Sequence, residues 1–198
     1  MKTNKYRWEL TKKLFGGKVI AIKPTMKCNL KCPYCAVNMA KGRAPLYSQK
    51  RYSFWIDVIN REKPKLVVIS GGEPTLYPHL HKIVNYCIKK RILVQIVTNL
   101  TTTYELSKIT PSWRVILLST YHPAAGLKNF LENYETLKNR FFITVRELRP
   151  KESDMKPRFI PWAKVKQIYT EQSDDYMIIY APDGTKYHSC RELDEAGA

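Results

Sequence analysis

Apolar residues fall along the chain in short unbroken blocks: KVIAIK (18 to 23), KLVVIS (65 to 70), ILVQIVT (92 to 98), RVILLS (114 to 119) and FFITVREL (141 to 148). Each block is rich in β-branched residues and lacks the alternation of a half-exposed strand, a pattern that predicts strands buried on both faces, as in a parallel sheet. Between them the period lengthens to that of amphipathic helices, predicted over 53 to 61, 79 to 90, 102 to 109 and 126 to 138. Strand and helix alternate throughout, so the expected class is α/β, built from βαβ units with right-handed crossovers. Beyond the fifth block a proline-rich bridge, RPKESDMKPRFIPW at 149 to 162, precedes a predicted helix at 163 to 170. YMIIYAPDGTKYHS then predicts a hairpin that turns at Asp183 and Gly184.

A length of 198 residues suits a single domain, 1 to 198. The longest apolar runs are far below the roughly 20 residues that cross a bilayer, and the N-terminal stretch lacks a secretory core, so a cytoplasmic protein with no membrane partner is expected. Net charge is +17, unevenly placed: residues 1 to 50 hold twelve Lys or Arg against Glu9 alone, whereas residues 151 to 198 hold seven against nine acids. Such a face is either a solvated lysine surface or a field that attracts anionic substrates, nucleic acid among them.

Chemistry concentrates in CNLKCPYC, where Cys28, Cys32 and Cys35 make a CxxxCxxC cluster. In a reducing compartment a cluster within five cysteines speaks for metal rather than disulfides. Zinc and iron–sulfur clusters both use thiolates at close spacing. A structural zinc site takes four protein ligands and a ferredoxin cubane four cysteines, and no second CxxC or HxxxH occurs in the chain. A four-iron cluster here would keep one iron free of cysteine, open to another ligand.

At these residues the chain resembles the radical S-adenosylmethionine (radical SAM) superfamily, whose signature CxxxCxxC follows the first strand of a complete or partial (β/α) barrel. Ser70, Gly71, Gly72, Glu73 and Pro74, after the second strand, resemble that family's GGEP motif. Adjacent glycines let backbone approach a ligand closely, at the strand ends where barrel enzymes place their sites. The resemblance covers about 18 to 148 and implies a partial (β/α)6-type TIM barrel with a C-terminal extension over about 149 to 198. It implies an enzyme in which Cys28, Cys32 and Cys35 hold a [4Fe-4S] cluster. S-adenosylmethionine chelates the fourth iron and is cleaved reductively to a 5'-deoxyadenosyl radical that abstracts hydrogen from substrate, the cofactor carrying the difficult chemistry. An external electron donor such as a flavodoxin or ferredoxin is implied with it.

By the same resemblance Tyr34 packs near adenine, Gly71, Gly72, Glu73 and Pro74 meet the methionine amino group, and Thr98, Asn99 and Ser119 meet ribose and carboxylate. Helix capping is the other reading of those three polar residues. His122, in STYHP, matches a Ser-x-x-His-Pro-like sequence of short family members and is a candidate acid or base, or a hydrogen-bonded structural histidine. Arg146 is a candidate for the S-adenosylmethionine carboxylate or for a rim salt bridge. Cys87 reads as a small buried hydrophobe, and Cys190 as a thiol near substrate or a packed residue. The substrate class expected from the charge is a nucleotide, a nucleic acid or a phosphorylated metabolite. Two other functions fit the motif less fully: an activase that installs a glycyl radical on a partner enzyme, and an iron–sulfur protein for electron transfer or sensing.

Overall fold

The computed structural model describes residues 17 to 32, 49 to 147 and 178 to 188. Cys35, Tyr34, Cys190, the proline-rich bridge and the helix expected at 163 to 170 lie outside the described residues. Within them the five expected strands form: β1 (Val19–Thr25), β2 (Leu66–Gly71), β3 (Leu93–Thr98), β4 (Val115–Tyr121) and β5 (Phe142–Glu147). Four helices alternate with them: α1 (Tyr52–Glu62), α2 (Leu80–Lys89), the single turn α3 (Tyr104–Ser107) and α4 (Leu127–Leu137). The helix expected at 102 to 109 is thus much shorter than its pattern. Thr101, Thr102 and Thr103 precede it and Pro111 follows, so little chain remains for helical turns. The end of α1 has a plain cause: Lys63 turns left-handed (φ 47°), its N–H reaches Ile59 O, and Pro64 follows.

The sheet runs β5-β4-β3-β2-β1-β6-β7, and β1 to β5 pair in parallel in chain order. A sequential order with crossovers of one hand keeps every helix on one face, as in a barrel and unlike a doubly wound sheet. The main core records this: Ile20, Ile22, Val67, Ile69, Val94, Ile96, Val115, Leu117 and Val145 pack with Trp55, Val58, Ile83, Leu106, Phe130 and Leu137 of the helices. Strand residues of the other parity form a second face that carries no described helix. Val68, Gln95, Ile116 and Phe142 cross it in one register row, with Val97, Leu118 and Thr144 above and Thr120 beside Arg146 above those.

The predicted hairpin forms as β6 (Ile178–Tyr180) and β7 (Lys186–Tyr187), with Gly184 at φ +88° in the turn. Its placement goes beyond the expectation: β6 joins β1 in parallel, Ile20 to Ile178 and Ile22 to Tyr180, making a sixth parallel strand. A Cβ at Gly184 would strike the Phe54 ring on α1, so glycine serves both the turn and its packing. The result is an open, partial (β/α) barrel. No helix among the described residues is long and apolar enough to cross a membrane.

Candidate functional site

The C-terminal ends of β1, β2, β3 and β4 converge on the start of the cysteine loop. β1 leads into it through Thr25, whose buried Oγ accepts from Lys27 N (3.1 Å) and from Gln49 Nε2. β2 holds the same segment from the side: Gly72 N donates to Thr25 O (3.0 Å) and Glu73 N to Lys27 O (2.8 Å). Gly71 sits at φ +131°, where a side chain is strained, and a Cβ there would meet Thr25 O. At Gly72 a Cβ would meet the carbonyls of Met26 and Lys27. The glycines therefore admit the backbone that carries Cys28, a close approach between two protein segments that sequence reasoning assigned to a ligand.

Glu73 is 1% exposed, and its carboxylate turns inward. Oε1 accepts from Thr75 N (3.1 Å), Thr75 Oγ1 (2.7 Å) and Thr98 Oγ1 (2.7 Å), and Oε2 from Asn99 N (2.7 Å). Burial pushes its carboxyl above the ordinary range, and these four donors work against that push. Pro74 opens a short 3-10 turn that Glu73 caps through Thr75 N. Thr98 is committed on both sides, since Oγ1 also accepts from Leu100 N (3.0 Å).

Asn99 links this network to the thiols. Its Nδ2 reaches Asn29 Oδ1 (3.0 Å) and Cys28 Sγ (3.9 Å), while Leu30 N points at the same sulfur from 3.4 Å. From the end of β4, His122 brings Nδ1 to 3.4 Å from Cys32 Sγ. Burial lowers the His122 pKa and so favours its neutral ring. Two of the three expected cysteine ligands are thus together with Asn99 and His122, and the third lies outside the described residues.

Ser119 pairs with Thr98 in register, on the helix side of the sheet. It shares strand parity with Leu117 and Tyr121 of the helix-side core, is 0% exposed, and its Oγ has no hydrogen-bond partner. The open face at that level carries Thr120 instead, in register with Arg146, and Thr144 one row below. Sequence reasoning named Arg146 and Ser119 and did not single out Thr120 or Thr144, which share the open face with Arg146. In an unbroken apolar block the face each residue takes is not written in the pattern, and only the register supplies it. Cys87 is 0% exposed on α2 and burial pushes its thiol up to about 12, the behaviour of a packing residue. A groove of about 420 Å³ between Trp113, Ile116, Arg140 and Phe142 lies at the N-terminal ends of β4 and β5, the far end of the sheet from the thiols.

The donor set suits a soft metal centre. Half-buried Cys28 and buried Cys32 supply thiols, and N–H groups of Leu30 and Asn99 face one sulfur. Among the described residues of the loops after β1, β2, β3 and β4, Glu73 is the only acid and is buried, whereas Lys27, Lys31 and Arg51 are exposed.

The profile of the radical SAM superfamily matches residues 22 to 145. A stretch of 76 residues is 37% identical to the 7-carboxy-7-deazaguanine synthase of Hyperthermus butylicus and covers 36% of this chain and 31% of that protein. The Streptococcus suis SuiB structure bound to precursor peptide SuiA superposes with a TM-score of 0.55 at 19% identity, over 76% of this chain and 38% of that one. The S-adenosylmethionine-bound SuiB structure gives 0.52 at 18% identity with the same coverage. The chain thus spans between three and four tenths of the length of these relatives.

Proposed function

Since the chain belongs to the radical SAM superfamily, we propose that it is an enzyme that holds a [4Fe-4S] cluster through Cys28, Cys32 and Cys35, cleaves S-adenosylmethionine reductively and acts on an anionic substrate. One observation carries this reading: the glycine pair after β2, the Asn99 amide after β3 and His122 after β4 all meet the start of the cysteine loop at one end of the sheet. An electron carrier has no need of such a convergence, and the GGEP segment argues against that alternative. When bound, the cluster supplies the electron that splits the sulfonium of S-adenosylmethionine into methionine and a 5'-deoxyadenosyl radical.

The residues of this chain bind, orient and shield. Gly71 and Gly72 hold β2 against the backbone of Thr25 and Lys27, which keeps Cys28 at the mouth of the sheet. Glu73 accepts from the ends of β2 and β3 and so fixes where Asn99 stands. The face without described helices, bearing Thr120, Thr144 and Arg146, is the surface on which S-adenosylmethionine and substrate would lie, with Arg146 suited to a carboxylate through its planar fork. Neutral His122 can donate one ring N–H towards Cys32 Sγ or share a proton with a substrate group. Exposed Lys27, Lys31 and Arg51, with no exposed acid among the described residues of the loops after β1 to β4, favour an anion at the mouth. A one-electron donor protein, flavodoxin or ferredoxin in type, completes the reaction.

Iron content after anaerobic reconstitution tests the ligand set. About four irons per chain are expected from the cluster type, and Cys32→Ala should lose most of them, because a thiolate site cannot be completed from buried Cys87. Full iron in Cys32→Ala would remove the assignment.

A further inference from the structure

We propose that Asn99 is a positioning residue for the metal centre of the cysteine loop: its side-chain amide is locked with Nδ2 towards Cys28 Sγ, and this N–H···S contact sets the centre's reduction potential. The inference rests on the reading above that Cys28 ligates an iron–sulfur cluster, and it assigns Asn99 to the protein side of the cluster rather than to S-adenosylmethionine.

Three observations fix the orientation. Asn99 Oδ1 accepts from Thr101 N (3.0 Å) and Thr101 Oγ1 (2.6 Å), so a flipped amide would set an NH2 group against two donors. Nδ2 is thereby turned to the loop, where one hydrogen meets Asn29 Oδ1 (3.0 Å) and the other faces Cys28 Sγ at 3.9 Å, within reach of the large sulfur atom. Asn29 is held in turn, since its Nδ2 donates to Thr101 Oγ1 (2.7 Å). The backbone of Asn99 is anchored independently, N to Glu73 Oε2 at 2.7 Å, and the residue is 5% exposed, so solvent does not compete for the amide.

A donor aimed at a ligating thiolate stabilises the added negative charge of the reduced cluster, and hydrogen bonds to sulfur are among the determinants of cluster potential. Leu30 N supplies a backbone donor to the same sulfur that mutation cannot remove. Asn99 is a side-chain donor to it, and it is bonded to the GGEP segment through Glu73. Removing it lowers the potential, and replacing it by a carboxylate lowers it further.

The test uses the reconstituted holoprotein without S-adenosylmethionine. Asn99→Asp keeps acceptors for both Thr101 donors, loses the donor to sulfur and adds charge. Its one-electron reduction constant should fall at least about tenfold, roughly 59 mV more negative, in a redox titration followed by electron paramagnetic resonance. Asn99→Ala should shift in the same direction by less. Iron content and Tm report folding in parallel. Potentials equal to that of the wild type in both variants overturn the proposal, whatever happens to Tm, and loss of iron from both assigns Asn99 a structural role and overturns it as well. A wild-type chain that takes up no cluster is a different failure, which removes the ligand reading and this inference together.

Discussion

At Gly72 the space for a side chain is filled by the carbonyls of Met26 and Lys27, two residues before the first cysteine. Gly72→Val would drive β2 away from this segment or push the loop outward, because backbone carbonyls cannot give as a flexible side chain can. The expected outcome is a protein that loses most of its iron as well as its affinity for S-adenosylmethionine, measured by iron analysis and calorimetry on the same preparation. Full iron with lost affinity would instead return Gly72 to the ligand-approach role that its motif implies. The motif marks these glycines for a close approach, but close approach is a property of the position and does not say which group comes close. Glu73 shows the same limit. Its place in GGEP was legible, but not its bonds to Thr98 and Asn99, which join residues 25 or more positions apart.

Between elements, Glu62 at the end of α1 ties two strands of the sheet, β1 and β6, to that helix. Lys18, entering β1, pairs with it, and Tyr180 of β6 donates to its Oε1 at 2.6 Å. Lys18 foremost, then Tyr180, holds the Glu62 carboxyl down at about 2, from a usual 4.5. With the folded pKa depressed, its stabilisation is complete above the unfolded value of 4.5 and is lost as pH falls towards about 2. Lys18 is half exposed, which screens the pair, so Glu62→Gln should cost only about 1 kcal/mol near neutral pH. Denaturant melts of the two chains should converge as pH drops through that window, and a constant gap down to pH 2 would contradict the account. The elements themselves were well marked in the sequence, since unbroken β-branched blocks and amphipathic stretches place the ends of β1 to β5 within two residues and those of three of the four helices within one. What the pattern could not carry was pairing. The hairpin was legible from its Asp183 and Gly184 turn, whereas the parallel bond of β6 to β1 depends on an edge left open about 150 residues earlier in the chain. Face was equally hidden, so the pattern did not say that Ser119 and Thr120 take opposite sides of the sheet.

Taken as a whole molecule, the chain carries +17 with most of its surplus in the first fifty residues, and the described loops at the thiol end of the sheet show exposed lysine and arginine with one buried acid. A field of this kind draws any anion, so binding alone does not name a substrate. Nucleic acid would bind with a log-log salt slope of about -0.9 per phosphate contact on duplex DNA, or about -0.7 on single strands. The proposal requires more: an anionic substrate must raise 5'-deoxyadenosine formation above the uncoupled rate, and Lys27→Glu with Lys31→Glu must remove that gain. Stimulation by a small phosphorylated compound and none by nucleic acid would make the lysines a steering field for a metabolite. Stimulation that survives the double charge reversal would contradict the role given to this face.

The most direct test of the central claim is the product of the cofactor itself. Anaerobically reconstituted protein, given S-adenosylmethionine and a strong one-electron reductant, should release 5'-deoxyadenosine and methionine in equal amounts, detected by mass spectrometry, and Cys32→Ala under the same conditions should release neither. A fully iron-loaded, reduced wild-type protein that leaves S-adenosylmethionine intact would contradict the account.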